Sequence, residues 1–312
     1  MVPGVLGIAA AATLTGRRRL GSTDDLPPPA DAVRLEPDPI VIFVGGHGDG
    51  LAEHEFAQLV EMMGLDPEDV RYFDYRYASN ASTPETASQN VSIDDAEHAL
   101  RGLIEGVAQS SDRPIYLVGF SKGAATIAEL IADWDDGAFR EANVIGAALL
   151  DPPMATGVHG WLQSIGRFIG PIPDDGGYDP VECKFLGLWC TDDRDHLGWD
   201  AGVDVMVVRN PNAAITNFGD LPEGLRVYEA PDEGRSFLDM VGADPLRAIG
   251  RASEAHRSVL HDPKVAACIA AELQALGSCN TLEMVSEPPS IGDIVERAAR
   301  NWTDSDTLWA AR

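Results

Sequence analysis

Positive charge is scarce in this chain. Its 312 residues carry 23 Lys and Arg against 50 Asp and Glu, a formal net charge of -27. Lysine is the scarcer cation, present only as Lys122, Lys184 and Lys264. A surface this acidic repels polyphosphate and anionic lipid, which argues against nucleic acid and anionic membranes as partners. Cysteine is sparse too, limited to Cys183, Cys190, Cys268 and Cys279. With no C-x-x-C among them, a zinc knuckle or redox motif is not expected. Cys268 could pair with Cys279 and Cys183 with Cys190; four buried thiols is the alternative. The apolar run Val5 to Leu14 is too short to span a bilayer, so no transmembrane span is assigned. Arg17-Arg18-Arg19 follows that run, whereas a bacterial secretory signal carries its charge ahead of the apolar core. A signal with a displaced start, a remnant of an anchor and a disordered tail all remain open for it. There is no internal repeat and no low-complexity block.

What is present is ordinary for a globular chain, 45% hydrophobic and 23% charged. The length allows one large domain or two small ones. Abundant Ala, Gly and Asp, with arginine preferred over lysine, suggest a GC-rich bacterial gene or mild salt adaptation. The most informative stretch is Arg113 to Trp134, RPIYLVGFSKGAATIAELIADW. Ile115 to Val118 has the look of a buried parallel strand. Ala124, Ile127, Leu130 and Ile131 recur at helical spacing. Between them stands Gly119-Phe120-Ser121-Lys122-Gly123, a G-x-S-x-G.

A serine hydroxyl is a weak nucleophile until a base takes its proton, so it must stand where a histidine can reach it. A tight strand-to-helix turn exposes Oγ in that way. It also brings backbone so close that only small residues fit two before and two after the serine. The N–H of the next residue, Lys122, can then donate to a developing oxyanion. A Walker loop is excluded, because the second glycine is not followed by Lys-Ser/Thr.

Further strands are expected at Ile40 to Val44, Val70 to Tyr75, Val144 to Leu150, Phe185 to Cys190 and Leu225 to Glu229. Helices are expected over Leu51 to Met63, from Ser92 with a capping-box start, and from Asp262-Pro263 to about Leu276. Strands alternating with helices predict an α/β fold, a mostly parallel sheet with helices on both faces. Functional groups then gather at the carboxyl ends of the strands. Residues 1–38 form an apolar segment and a Pro- and acid-rich linker, 39–279 the main domain, and 280–312 a tail with a short helix at Ile291 to Trp302.

The chain resembles a serine hydrolase of the α/β-hydrolase superfamily. The matching positions are IVIFVGGHGDG, IYLVGFSKGA, LLDPP, FLGLWCTDDRD and EAHRSVLHDPKV, within roughly Pro39 to Leu276. The two antiparallel strands that often begin larger members are not evident, so the likeness is to the compact, cutinase-like branch and related bacterial lipases. The family's order is nucleophile, acid, histidine, and this sequence offers it.

That resemblance implies Ser121 as nucleophile. It implies a histidine after the last strand, His256 ahead of the Asp-Pro helix start, with His261 second. It implies an acid after the penultimate strand, Asp193 first and Asp195 second, with Asp192 in the same turn. The oxyanion hole would join the Lys122 N–H to an N–H from Gly46, His47 or Gly48; the family's usual His-Gly order is here Gly-Gly-His-Gly. Residues 154–180 would be a cap, with Trp161, Leu162 and Phe168 lining an acyl site or packing on the core. The Lys122 side chain would be either a surface residue or an attractor for an anionic head group. No cofactor and no metal are expected; Asp192, Asp193, Asp195 and His196 lack regular ligand spacing.

The expected activity is cleavage of a small or lipid-like carboxylic ester. The alternatives are acyl transfer, thioester hydrolysis and a catalytically silent binding domain. A secreted or envelope location is favoured over the cytoplasm.

Overall fold

A computed structural model describes residues 33–34, 38–48, 50–133, 136–152, 203–210, 213, 225–230 and 255–285. The described strands are β1 (Val33–Arg34), β2 (Ile40–Val44), β3 (Val70–Tyr72), β4 (Ile115–Phe120), β5 (Val144–Leu150), β6 (Asp204–Arg209), β7 (Arg226–Glu229), β8 (Ala275–Leu276) and β9 (Glu283–Met284). The helices are α1 (Ala52–Met63), α2 (Pro84–Asn90), α3 (Ile93–Ser110), α4 (Lys122–Asp133), α5 (Asp136–Glu141) and α6 (Pro263–Gln274).

Among the described residues, seven strands form one sheet in the order β3-β2-β4-β5-β6-β7-β9. All pairings from β3 to β7 are parallel; β9 joins β7 antiparallel at the edge. Strand β4, which leads to Ser121, is central, between β2 and β5. A parallel strand covered on both faces has no solvent side, which is why Ile40 to Val44 is apolar throughout and wholly buried. Ile42, Leu117 and Leu149 point to one face, with Leu100 and Ile104 of α3 and Ile127 of α4. Val41, Phe43 and Val118 point to the other, with Phe56 and Leu59 of α1 and Val265 and Ile269 of α6.

Local chemistry sets the helix ends. Ser92 Oγ accepts the Asp95 N–H at 3.0 Å and donates to its carboxylate at 2.6 Å, the expected cap of α3. Asp262 accepts the N–H groups of Lys264 and Val265, with Pro263 in the first turn of α6. Gly64 ends α1 at φ 68°, where a side chain would be strained.

Three differences from the sequence expectations matter. The strand beside β5 is Asp204–Arg209, which was not anticipated, while Phe185 to Cys190 lies outside the described residues. The stretch 76–90, where no element was expected, contains α2 with Thr83 as its cap. Glu283–Met284, assigned to the tail, adds a strand to the sheet. Cys268 and Cys279 are disulfide-bonded; Cys183 and Cys190 fall outside the described residues, as does the helix expected at 291–302. Among the described residues no helix is long and apolar enough to cross a membrane.

Candidate active site

Ser121 leaves the end of β4 with φ 52°, a left-handed conformation that costs a non-glycine residue on the order of 1–3 kcal/mol. Two hydrogen bonds hold it there. Its N–H donates to Leu150 O at 3.0 Å, and its carbonyl accepts the Ala125 N–H at 3.1 Å as α4 begins. The flanking glycines are steric necessities. A Cβ at Gly123 would lie 2.0 Å from Val44 O, and one at Gly119 would lie 2.7 Å from the Ala124 backbone. Ser121 itself is 7% exposed. Strand, strained turn and helix follow as the G-x-S-x-G predicts.

The carboxylate that meets a histidine is Asp151. It ends β5, adopts φ 42° and is fully buried. Its Oδ2 faces His256 Nδ1 in a short contact, and its Oδ1 accepts the Asn210 N–H at 3.1 Å. Asn210 follows β6. Its side-chain amide donates to Ala255 O at 2.8 Å and to Ser258 Oγ at 2.7 Å, gripping the turn on both sides of His256. The His256 imidazole lies on the ring of Phe120, centroids 4.6 Å apart, and Phe120 is the residue before Ser121.

The structure thus brings the ends of β4 and β5 and the 255–258 turn together at one end of the sheet. Asp192, Asp193 and Asp195 lie outside the described residues, as do Trp161, Leu162 and Phe168. The acid partner seen here comes from the strand beside the elbow, where the sequence expectation looked one strand further on. The signal for it was Asp151 itself, set directly after an apolar strand and before Pro152-Pro153. His261 is exposed and its N–H donates to Ser258 O; His256 is the histidine that meets Asp151.

The loop after β2 engages two of the amides considered as oxyanion donors. The Gly46 N–H donates to Glu55 Oε2 at 2.9 Å, and the Gly48 N–H donates to Ser88 Oγ at 3.1 Å. Both amides are committed to side chains, which tells against Gly46 as an oxyanion donor. Gly45 O accepts the Tyr75 hydroxyl at 2.8 Å. Burial pushes the Glu55 carboxyl up to about 7, against the Gly46 N–H, which lowers it.

Lys122 opens α4, so its N–H belongs to the first turn, whose amides are directed out of the helix N-terminus. Its side chain is neither at the surface nor open to a head group: it is fully buried. Nζ donates to Ser88 O at 2.5 Å and Val91 O at 2.6 Å, and lies 5.0 Å from the centroid of the Tyr75 ring. The lysine therefore ties α4 to the end of α2 and to Val91 just after it, and through Ser88 to Gly48. Among the described residues no cluster of three or more His, Cys, Asp or Glu stands ready for a metal.

No protein-family profile matches the chain, and no curated protein does. Solved structures with a related course do exist. Phospholipase PlaB from Legionella pneumophila is 15% identical with a TM-score of 0.36, over 55% of this chain and 37% of that one. Bacillus licheniformis lipase BlEst2 in mature form is 16% identical with a TM-score of 0.39, over 57% and 68%. A monoacylglycerol lipase from Paleococcus ferrophilus is 14% identical with a TM-score of 0.36, over 73% and 96%. The chain spans less than two fifths of the length of PlaB. Likeness at this level carries no inference about activity. The fold is defined by the strand order and by the strained serine between β4 and α4: a parallel sheet with a nucleophile elbow on its central strand, the α/β-hydrolase fold.

Proposed function

We propose that this chain, on its α/β-hydrolase fold, is a serine hydrolase that cleaves a carboxylic ester through an acyl-enzyme. One observation carries the reading: a buried carboxylate holds the Nδ1 side of His256 while the same imidazole rests on the residue before a strained serine. In this proposal Asp151 accepts the Nδ1 proton and fixes the tautomer, so Nε2 carries the lone pair. Nε2 takes the Ser121 proton as Oγ attacks the ester carbonyl. The tetrahedral oxyanion takes hydrogen bonds from the backbone N–H of Lys122 and from an N–H of the loop after β2. The imidazolium returns its proton to the departing alkoxide. Water then repeats the sequence on the acyl-enzyme and frees Ser121.

A lipid-like acyl group remains part of the proposal through the apolar sequence around Trp161, Leu162 and Phe168. The test is labelling of the purified protein with a fluorophosphonate probe, alongside turnover of p-nitrophenyl esters. Both are expected for the wild type, and both are expected to vanish in Ser121→Ala with the circular dichroism spectrum unchanged. A folded wild-type protein that neither labels nor turns over an ester chain-length series would overturn the reading in favour of a silent binding domain.

A further inference from the structure

We propose that Asn210 is a positioning residue that holds both members of the Asp151–His256 pair, a role in catalysis that rests on the hydrolase reading above. His256 and Asp151 are 105 residues apart in the chain, so neither places the other by local geometry. Asn210 bonds to both sides. Its backbone N–H donates to Asp151 Oδ1 at 3.1 Å. Its side-chain amide donates to Ala255 O at 2.8 Å and to Ser258 Oγ at 2.7 Å. With the contact between Asp151 Oδ2 and His256 Nδ1, these bonds close a circuit through the pair.

The circuit leaves the imidazole few ways to move. The Ala255 carbonyl belongs to the peptide that carries the His256 N–H, and residues 255–258 form one helical turn, so φ and ψ of His256 are set. Ser258 Oγ donates to Ala255 O at 2.8 Å, which closes the turn on itself. The turn runs into Val259 and Leu260, both buried in the core. With the backbone placed, only the two side-chain torsions of His256 remain. Asp151 at Nδ1 and the Phe120 ring against the imidazole constrain both.

The anchor is itself held. Asn210 directly follows β6, its carbonyl accepts the Ala213 N–H at 3.0 Å, and it is 1% exposed. The Asp151 N–H donates to Val208 O, so the acid is tied to the same strand that carries Asn210. An amide is what this position needs. Nδ2 has two N–H donors, and both go to the turn that carries His256. An ionised aspartate of the same shape could donate neither and would set a second carboxylate beside Asp151. A leucine would fill the space and bond to nothing. A buried amide costs free energy unless its donors are met, and here they are met by the segment that supplies the base.

The experiment has two arms. In protein carrying isotope-labelled histidine, the His256 signals are assigned by their loss in His256→Ala. The ring-nitrogen shifts of the neutral imidazole then report which nitrogen bears the proton. Wild type is expected to hold it on Nδ1. Asn210→Ala, which keeps the backbone N–H to Asp151, is expected to mix the two tautomers. In ester kinetics, Asn210→Ala is expected to lower kcat by about 10- to 100-fold with KM little changed, because a misplaced base is felt in the transition state. Asn210→Leu fills the space, donates nothing and is expected to fall as far. Ser258→Ala removes one of the two acceptors and is expected to lower kcat by about fivefold, the effect of one neutral hydrogen bond. It serves if neither Asn210 variant folds.

Wild-type turnover with kcat unchanged in Asn210→Ala, or in Ser258→Ala where only that variant folds, would overturn the role of Asn210 and leave the hydrolase reading intact. The same holds if kcat falls while the His256 shifts stay as in wild type, since the loss would then not run through the imidazole. It holds too if Asn210→Leu keeps the wild-type kcat, which would make the residue a filler. Absence of wild-type turnover would end the hydrolase reading, and a change of tautomer in Asn210→Ala would still show Asn210 holding the pair.

Discussion

Two glutamates, Glu272 fully buried and Glu55 half-buried with one buried oxygen, stand at opposite ends of the same sheet, and they are treated differently. Glu272, near the amino ends of β6 and β7, has no exposed side-chain surface, and its oxygens accept four donors. Oε1 takes Arg226 at 2.8 Å and the Cys279 N–H at 2.9 Å; Oε2 takes Arg226 and the Gly277 N–H, each at 2.9 Å. Arg226 reaches on to Asp204 at 2.7 Å. Glu55, beside the carboxyl end of β2, has one donor and an orphaned oxygen. Glu272 is fully satisfied; Glu55 is not. Two of the three non-glycine residues with positive φ among those described, Ser121 and Asp151, belong to the carboxyl end. Strain concentrated at one end is what a site needs, and it is tolerated because the other end and the core over-determine the fold.

The comparison breaks most sharply at Asp151. Asp151→Asn keeps the shape but gives His256 Nδ1 an amide instead of a carboxylate, which favours the wrong tautomer. The expected loss in kcat is about 10⁴-fold, with thermal unfolding little changed. Steady-state ester kinetics beside a melting curve would check it. A variant that unfolds with no specific loss of kcat would make Asp151 a structural residue like Glu272.

At the opposite end the signs should reverse. Glu272→Ala leaves Arg226 with Asp204 and the Tyr228 hydroxyl and strips the Gly277 and Cys279 amides of their acceptor. The expected loss of stability is about 3–5 kcal/mol, as for one partner removed from a buried pair. Turnover per folded molecule should be unaffected. Urea unfolding and active-site titration would measure the two separately. The neighbouring disulfide makes a smaller contribution to the same end. Cys268 and Cys279 are 11 residues apart, and closing so short a loop is worth about 3 kcal/mol by chain entropy. Reduction, or Cys268→Ser with Cys279→Ser, should lower the unfolding free energy from urea titration by that amount and leave kcat alone.

How much of this was legible in the sequence follows from the range of the forces. The elbow was legible because its signature is local: Gly119 and Gly123 flank Ser121 within five residues, although what Gly123 makes room for is the distant backbone of Val44 and Gly45. The buried strands β2, β4 and β5 were legible as apolar runs. β6 carries such a run too, Val205 to Val208, but Phe185 to Cys190 filled the slot where a strand was sought. That Asp151 meets His256 was not legible because it depends on which strand lies beside β4, a fact of pairing and not of spacing. The Lys122 side chain resisted for a related reason. Its partners Ser88 and Val91 lie more than 30 residues upstream, and only the packed helices bring them near. Glu55 did leave a trace. It sits three residues after Ala52 and four before Leu59, on the inward stripe of α1 where an apolar residue belongs.

That misplaced carboxyl gives the smallest and sharpest contrast between the two ends. A carboxyl raised from 4.5 to about 7 on folding holds its proton more tightly in the native state. Its contribution is therefore neutral below about pH 4.5, grows increasingly destabilising as pH rises toward about 7, and stays at its full adverse value above that. At 1.36 kcal/mol per unit the full effect is about 3 kcal/mol. Glu55→Gln removes it but places an amide NH2 where Oε1 now has no partner, at a cost of about 1 kcal/mol. The variant should therefore be about 2 kcal/mol more stable than wild type at pH 8 and about 1 kcal/mol less stable near pH 4.5, with the curves crossing between. Urea unfolding across that range would trace it. A Glu55→Gln curve parallel to wild type at every pH would mean that Glu55 is as well satisfied as Glu272, and the contrast between the two ends would lose its electrostatic half.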